Sequence, residues 1–194
     1  MIGTNQTIYK EENQSMKKFE LTAESKINIF GNKLFRIKAL ISFGDVKEGD
    51  AGGWVEKEEN LEQFSGNAWV YGNAWVSGNA RVSGDARVSG NAWVYGDAEV
   101  YGDAEVSGNA RVSGNARVSG NARVSGDARV SGDAEVYGDA EVYGDAEVYG
   151  NARVSGNAEV YGDARVSGNA WVYGDAEVSG DARVSGNAWV YGDA

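Results

Sequence analysis

Gly66-Asn67-Ala68-Trp69-Val70-Tyr71, followed at once by Gly72-Asn73-Ala74-Trp75-Val76-Ser77, opens a run in which Gly-(Asn/Asp)-Ala-x-Val-(Ser/Tyr) recurs 21 times. The run reaches Gly192-Asp193-Ala194, partway through a further unit. Self-similarity at so short a spacing means that no unit can bury its apolar side alone. Units must therefore stack, and the architecture is a solenoid. Only the x and Ser/Tyr positions vary freely, which confines any chemistry to them.

Within Ala-x-Val-(Ser/Tyr) the side chains of a strand alternate, so Ala and Val share one face and x and Ser/Tyr the other. Because x is Arg, Glu or Trp, the second face lies outside. Val is β-branched and suits a pleated buried surface, and the small Ala fits where the wall turns inward. Gly-Asn and Gly-Asp supply the corner: Gly tolerates φ > 0, and Asn or Asp bond locally to the backbone and visit the left-handed region. A six-residue unit gives one flat wall and one bend, and three walls close a triangle of 18 residues per coil. The repeats then form seven coils, a rod about 34 Å long at the ~4.8 Å spacing of stacked strands.

These units resemble the hexapeptide repeat of left-handed β-helices, in which an aliphatic residue at i and a small one at i+4 point inward. Val70 and Ala74, Val76 and Ala80, and so on to Val190 and Ala194 occupy those places. Gly falls two residues after the aliphatic, where members of that family often carry it one residue after. The expected fold is all-β: a single-stranded triangular β-helix, or β-solenoid, of about seven regular coils, left-handed by this resemblance.

The preceding residues divide in two. Residues 1–16 are polar and poorly patterned and read as a flexible arm, with Met16 a second candidate start. Residues 17–65 read as a cap: apolar runs on either side of Gly31-Asn32 predict a β-hairpin folding over the open end of the core, followed by an irregular first coil. Ile37 to Leu61, with FGDVKEGDAGGWVEKEENL inside it, is similar to the N-terminal portion of YdcK-like β-helix proteins and of phage- or prophage-encoded hexapeptide proteins. That resemblance implies a fold and a cap, and no reaction.

Composition narrows function. The formal net charge is −11, with no Cys, His or Pro. Absence of Cys removes disulfides and thiolate metal sites. The acidic surface argues against sequence-independent binding of nucleic acid or anionic lipid. No apolar run approaches the ~20 residues that span a bilayer, and no signal-peptide core follows Met1 or Met16, so a cytoplasmic or virion-associated protein is expected. The enzymes of the hexapeptide family are acyltransferases using a His base. This chain has no His, its carboxylates fall on outer or corner positions, and its period is unbroken from 66 to 194. Neither catalysis nor a cofactor is expected. The corner column Asp127, Asp145, Asp163, Asp181 is a set of oxygen ligands of the kind a hard cation uses. Nearby Arg129, Arg165 and Arg183 neutralise it, so these residues read as turn formers rather than a metal site.

The outer positions carry the remaining information. One wall has x residues Arg81, Glu99, Arg117, Glu135, Arg153, Trp171 and Trp189, a charge ladder that fixes register between otherwise identical units. The other two walls are less regular and hold like-charged neighbours, as at Glu141, Glu159 and Glu177. Trp171, Tyr173, Trp189 and Tyr191 form an aromatic quartet in the last two coils and are the candidate interaction residues. A last coil with unpaired edges is a template for association, so an end-to-end homodimer through the C-terminal coils is expected in preference to a lateral trimer. Function then reads as a non-enzymatic structural and interaction scaffold. The alternatives are a carbohydrate-binding module stacking sugars on Trp171 and Trp189, and a degenerate acyltransferase-like protein.

Overall fold

The computed structural model describes residues 16–192. The arm expected over 1–16 falls outside that range except for Met16, as do Asp193 and Ala194. The described chain is an all-β solenoid whose 21 repeat strands, from Trp69–Val70 to Trp189–Gly192, are shared among three parallel sheets. Strands 18 residues apart are neighbours, as Arg117 and Glu135 are. A first wall runs from Trp69 to Glu177, a second from Trp75 to Arg183, and a third from Arg81 to Trp189.

Most strands are only two residues long, x and Val, yet the hydrogen-bonded ladder does not stop there. Around one corner, Asn115 N–H donates to Gly132 O (2.8 Å), Arg117 N–H to Ala134 O (2.9 Å) and Ser119 N–H to Val136 O (3.0 Å). The bends are thus paired coil to coil as well as the walls. Every Ala and Val of the repeats from Ala68 to Val178 is buried, which is the inward alternation read from the sequence. Beyond them Val184 and Val190 are only partly covered, and Ala182 and Ala188 are exposed.

The corner works differently from the expectation in one respect. Among the described residues no Asn or Asp has a positive φ; the left-handed conformation belongs to Gly alone. Gly114 has φ +68°, and a Cβ there would sit 2.9 Å from both N and O of Gly132 in the next coil. Glycine is therefore required twice, by its dihedral angle and by the close approach of stacked corners.

The cap joins the second wall rather than lying across it. β1 (Phe19–Ile27) and β2 (Lys33–Ala39) form the expected antiparallel hairpin, β2 pairs antiparallel with β3 (Ala51–Val55), and β3 pairs parallel with the strand at Trp75. Asn28 Oδ1 closes the hairpin turn by accepting from Phe30 N–H and Asn32 N–H. Phe19, Ile37 and Ala39 reach the solenoid core and seal its end. The irregular first coil is also present: Trp54 pairs with Trp75 and Leu61 with Val82, each 21 positions apart instead of 18. Extra residues bulge at the corner before Gly66, where Lys18 Nζ donates to Ser65 O and Gly66 O, and the Gln63 amide exchanges two hydrogen bonds with the Phe19 backbone.

Two substitutions separate the two demands on glycine. Gly72 has φ +60° but only an ordinary 3.6 Å contact awaiting a Cβ, so Gly72→Ala should cost ~1–2 kcal/mol. Gly114→Ala should cost clearly more. Chemical denaturation of both variants, with equal losses counting against the stacked-corner account, is the measurement.

Candidate functional site

The four aromatic residues singled out in the last two coils form one ladder on the third wall. Trp171 and Trp189 stack at 5.5 Å between centroids with 19° between planes, and Tyr173 and Tyr191 stack at 5.7 Å and 24°. Their strands, Trp171–Gly174 and Trp189–Gly192, are twice the usual length and pair over all four residues. Trp189 and Tyr191 are 65% and 64% exposed. The Arg153 guanidinium lies 5.1 Å from the Trp171 ring on the coil before, and Trp189 lies on the coil after. Both faces of Trp171 are thus occupied, so the stacking platform expected at this residue is closed, and an incoming ring or sugar has access to Trp189.

The charge ladder leads into this quartet. Arg117 bridges Glu99 (3.5 Å) and Glu135 (3.7 Å), and Arg153 reaches back to Glu135 at 3.3 Å. Arg81 is in register with Glu99, but no ion pair joins them among the described residues. Ladders also exist on the two less regular walls. Arg123 lies between Glu105 and Glu141 on the first wall, and Glu147 lies between Arg129 and Arg165 on the second. All these groups are substantially solvated, and each pair is worth ~0–1 kcal/mol.

The like-charged run Glu141, Glu159, Glu177 is relieved by a group the charge pattern alone does not reveal. Tyr143 Oη donates to Glu159 Oε2 (2.8 Å), Tyr161 Oη donates to Glu177 Oε2 (3.3 Å), and the two rings stack at 4.9 Å and 3°. Partial burial, then the hydrogen bond to Glu159, pushes the Tyr143 hydroxyl up to about 12. The signal was available: Tyr follows Glu at both places, and the acceptor is 16 residues on, one coil less two positions.

At the corners, Asn donates along the rod. Asn109 Nδ2 bonds Asp127 Oδ1 (3.0 Å), Asn115 bonds Asp133 (2.8 Å), Asn157 bonds Asp175 (2.7 Å), and Asn151 and Asn169 continue the same pattern. The column below Asp127 has no such donor, because Asp145, Asp163 and Asp181 follow. Among the described residues no group of three or more Asp or Glu is placed to hold a metal ion, and no helix is long and apolar enough to cross a membrane.

The N-terminal aromatics are largely covered. Trp69 is buried, with Phe19 and Phe43 edge-on to it. Phe30, at the hairpin tip, lies against Trp75 and Tyr95, and Arg111 sits 4.3 Å from the Trp93 ring. Two surface cavities lie on the third wall. One of about 350 Å³ is framed by Leu61, Phe64 and Val82 at its N-terminal end, and one of about 220 Å³ lies between Tyr101 and Tyr137.

Asp145→Asn should raise stability by a few tenths to about 1 kcal/mol, because the amide supplies a donor to Asp163 and removes one charge from the column. A lowered thermal midpoint would contradict the corner-ladder account. For Tyr143 the folded value is the higher one, so its stabilisation is fully present below pH 10 and is lost as pH rises from 10 to about 12. Tyr143→Phe should flatten the fall in stability over that window and remove from an ultraviolet titration a phenol that ionises at about 12.

A family model described as the YdcK beta solenoid repeat matches residues 80–96, 104–120, 110–126, 116–132, 122–137, 146–160, 158–174 and 176–192. No curated protein matches the chain. The matched windows lie in the repeats, whereas Ile37–Leu61, which carried the resemblance in sequence, falls outside them. Together they cover half of the chain, and with three parallel sheets of stacked strands they establish that it belongs to the YdcK β-solenoid repeat family.

Proposed function

We propose that this chain is a non-enzymatic scaffold, a stiff rod that self-associates through its C-terminal coils. The observation that carries this reading is the exposure of Trp189 and Tyr191 at the end of a continuous stacked ladder. Large aromatics held rigidly and left in solvent mark interaction surfaces, and Trp and Tyr lead among residues whose loss costs binding energy. Stiffness follows from backbone pairing through walls and corners alike, so the rod can hold whatever its faces bind at fixed separations. The outer carboxylates are ion-paired or solvated, an arrangement suited to register and solubility rather than to proton transfer.

A second reading, a saccharide stacked on Trp189, is favoured by the open face of that ring. Light scattering across protein concentration separates the two. The intact chain should form a concentration-dependent dimer, and Trp171→Ser/Trp189→Ser should shift it to monomer. A monomer at every concentration sinks the self-association reading, and a glycan screen in which Trp189→Ala abolishes binding would then replace it.

A further inference from the structure

The third wall carries a two-coil alternation of size as well as of charge. Arg81, Arg117 and Arg153 share their coils with Ser83, Ser119 and Ser155, whereas Glu99 and Glu135 share theirs with Tyr101 and Tyr137. The tyrosines are knobs, with Tyr101 40% and Tyr137 37% exposed. Ser119 is a hole: the 220 Å³ cavity between those two rings has it in its lining, with Arg117 and Glu135 beside it, and Ser83 lines the cavity at the N-terminal end. Positive coils therefore carry holes, and negative coils carry knobs. The hole suits a ring. Where tyrosines occupy adjacent coils of one column they stack at 5.7 Å, as Tyr173 and Tyr191 do, or at 4.9 Å, as Tyr143 and Tyr161 do. Ser119 leaves one rung of such a stack open.

We propose that the occupant is a second copy of this chain, lying antiparallel against the same wall about a two-fold axis between the coils of Arg117 and Glu135. This rests on the self-association proposed above and specifies its geometry as lateral rather than end to end. A two-fold axis in the plane of the wall and along its strands reverses the rod but preserves strand direction, so each outer column faces its own counterpart. Tyr137 then enters the hole at Ser119 of the partner subunit, and Glu135 meets Arg117 of the partner subunit. One coil outward, Tyr101 meets Ser155 of the partner subunit, and Glu99 meets Arg153 of the partner subunit. Trp171 comes over Arg81 of the partner subunit, the ladder's arginine that pairs with no carboxylate among the described residues. One coil further, Trp189 and Tyr191 arrive at the 350 Å³ cavity framed by Leu61, Phe64 and Val82. Charge, or a cation against an aromatic face, is thus matched from the coil of Arg81 to that of Trp171, and shape at Ser119 and at the N-terminal cavity.

Competing arrangements are penalised. A slip by one coil sets Arg against Arg, Glu against Glu and Tyr against Tyr. A parallel pair sets each x residue against Ser or Tyr and leaves the charges unmatched. Repulsion in the wrong register is what makes an interface specific. The face, about 34 Å by 13 Å or roughly 440 Å² a side, is smaller than a stable interface and falls among weak, transient ones, so dissociation should be observable at accessible concentrations and should increase with salt.

Charge reversal tests the geometry. Arg117→Glu and Glu135→Arg each place like charges opposite one another twice, once on either side of the axis. Each alone should weaken self-association at least about tenfold by sedimentation velocity. An equimolar mixture should recover it, as should the double variant R117E/E135R. Recovery on mixing two weakened chains is not produced by loss of folding in either; a mixture no tighter than its components overturns the proposal. Because the chain has no cysteine, dyes on Asn79→Cys and Asn187→Cys supply a second readout. With a dye pair whose transfer range is well below the ~34 Å length of the rod, energy transfer between copies should be strong from 79 to 187 and weak from 187 to 187. The reverse pattern overturns the lateral pairing while leaving self-association through the C-terminal coils standing, and a monomer at all concentrations overturns both.

Discussion

The backbone ladder that continues through the glycine corners is the constraint on which the rest of the molecule depends. Because Asn115 N–H bonds Gly132 O at the bend as Arg117 N–H bonds Ala134 O on the wall, successive coils are held at one separation around the whole circumference. Along most of the rod no side chain fits between stacked corners: a Cβ on Gly114 would meet the next backbone at 2.9 Å. Once that separation is fixed, every residue sits directly above the one 18 positions later. Stacked indoles, ion pairs and amide ladders follow from this placement and need no separate device.

The core supplies burial without address. Val faces Val and Ala faces Ala in every coil, so sliding one coil past another would cost the interior nothing. Address comes from outside, where each contribution is small: solvated ion pairs worth ~0–1 kcal/mol, an Arg153 guanidinium over Trp171, an Asn109 amide reaching Asp127. Their value lies in disagreement with the wrong register. The cap adds the strongest mark, a first coil that is longer than the others and pinned by Lys18 and Gln63 to the hairpin. That Lys18 amine is buried, and desolvation lowers its pKa despite the nearby Glu62 and Asp85 carboxylates.

Period and alternation made the walls, the inward Val and Ala, and the hairpin legible from the residues alone, because each depends only on neighbours in sequence. What escaped depends on neighbours in space. The role of Asn emerges only when Asn115 is set above Asp133, and that of Tyr143 only when Glu159 is seen to lie beside it. The sequence alone asks for glycine by its dihedral angle, and the second role appears only once Gly114 is stacked on Gly132. The closing of Trp171 between Arg153 and Trp189 belongs to the same class. The two cavities on the third wall arise from serine interrupting a tyrosine column and from the shape of the first coil, neither of which a single repeat unit discloses.

The strict unit has a genetic consequence. Tandem copies of a short coding repeat gain and lose units by slippage, and the fold filters those events by arithmetic. Adding one or two units turns all downstream sequence onto a different wall, separating Glu99 and Arg117 from the residues now above them. Adding three inserts a whole coil and restores the walls, but it places Arg beside Arg or Glu beside Glu somewhere in the alternation on the third wall. Six units together, two coils of opposite sign, lengthen the rod and keep the alternation of the third wall. On that wall, growth that preserves the alternation proceeds in steps of 36 residues, twice the 18-residue spacing of stacked strands.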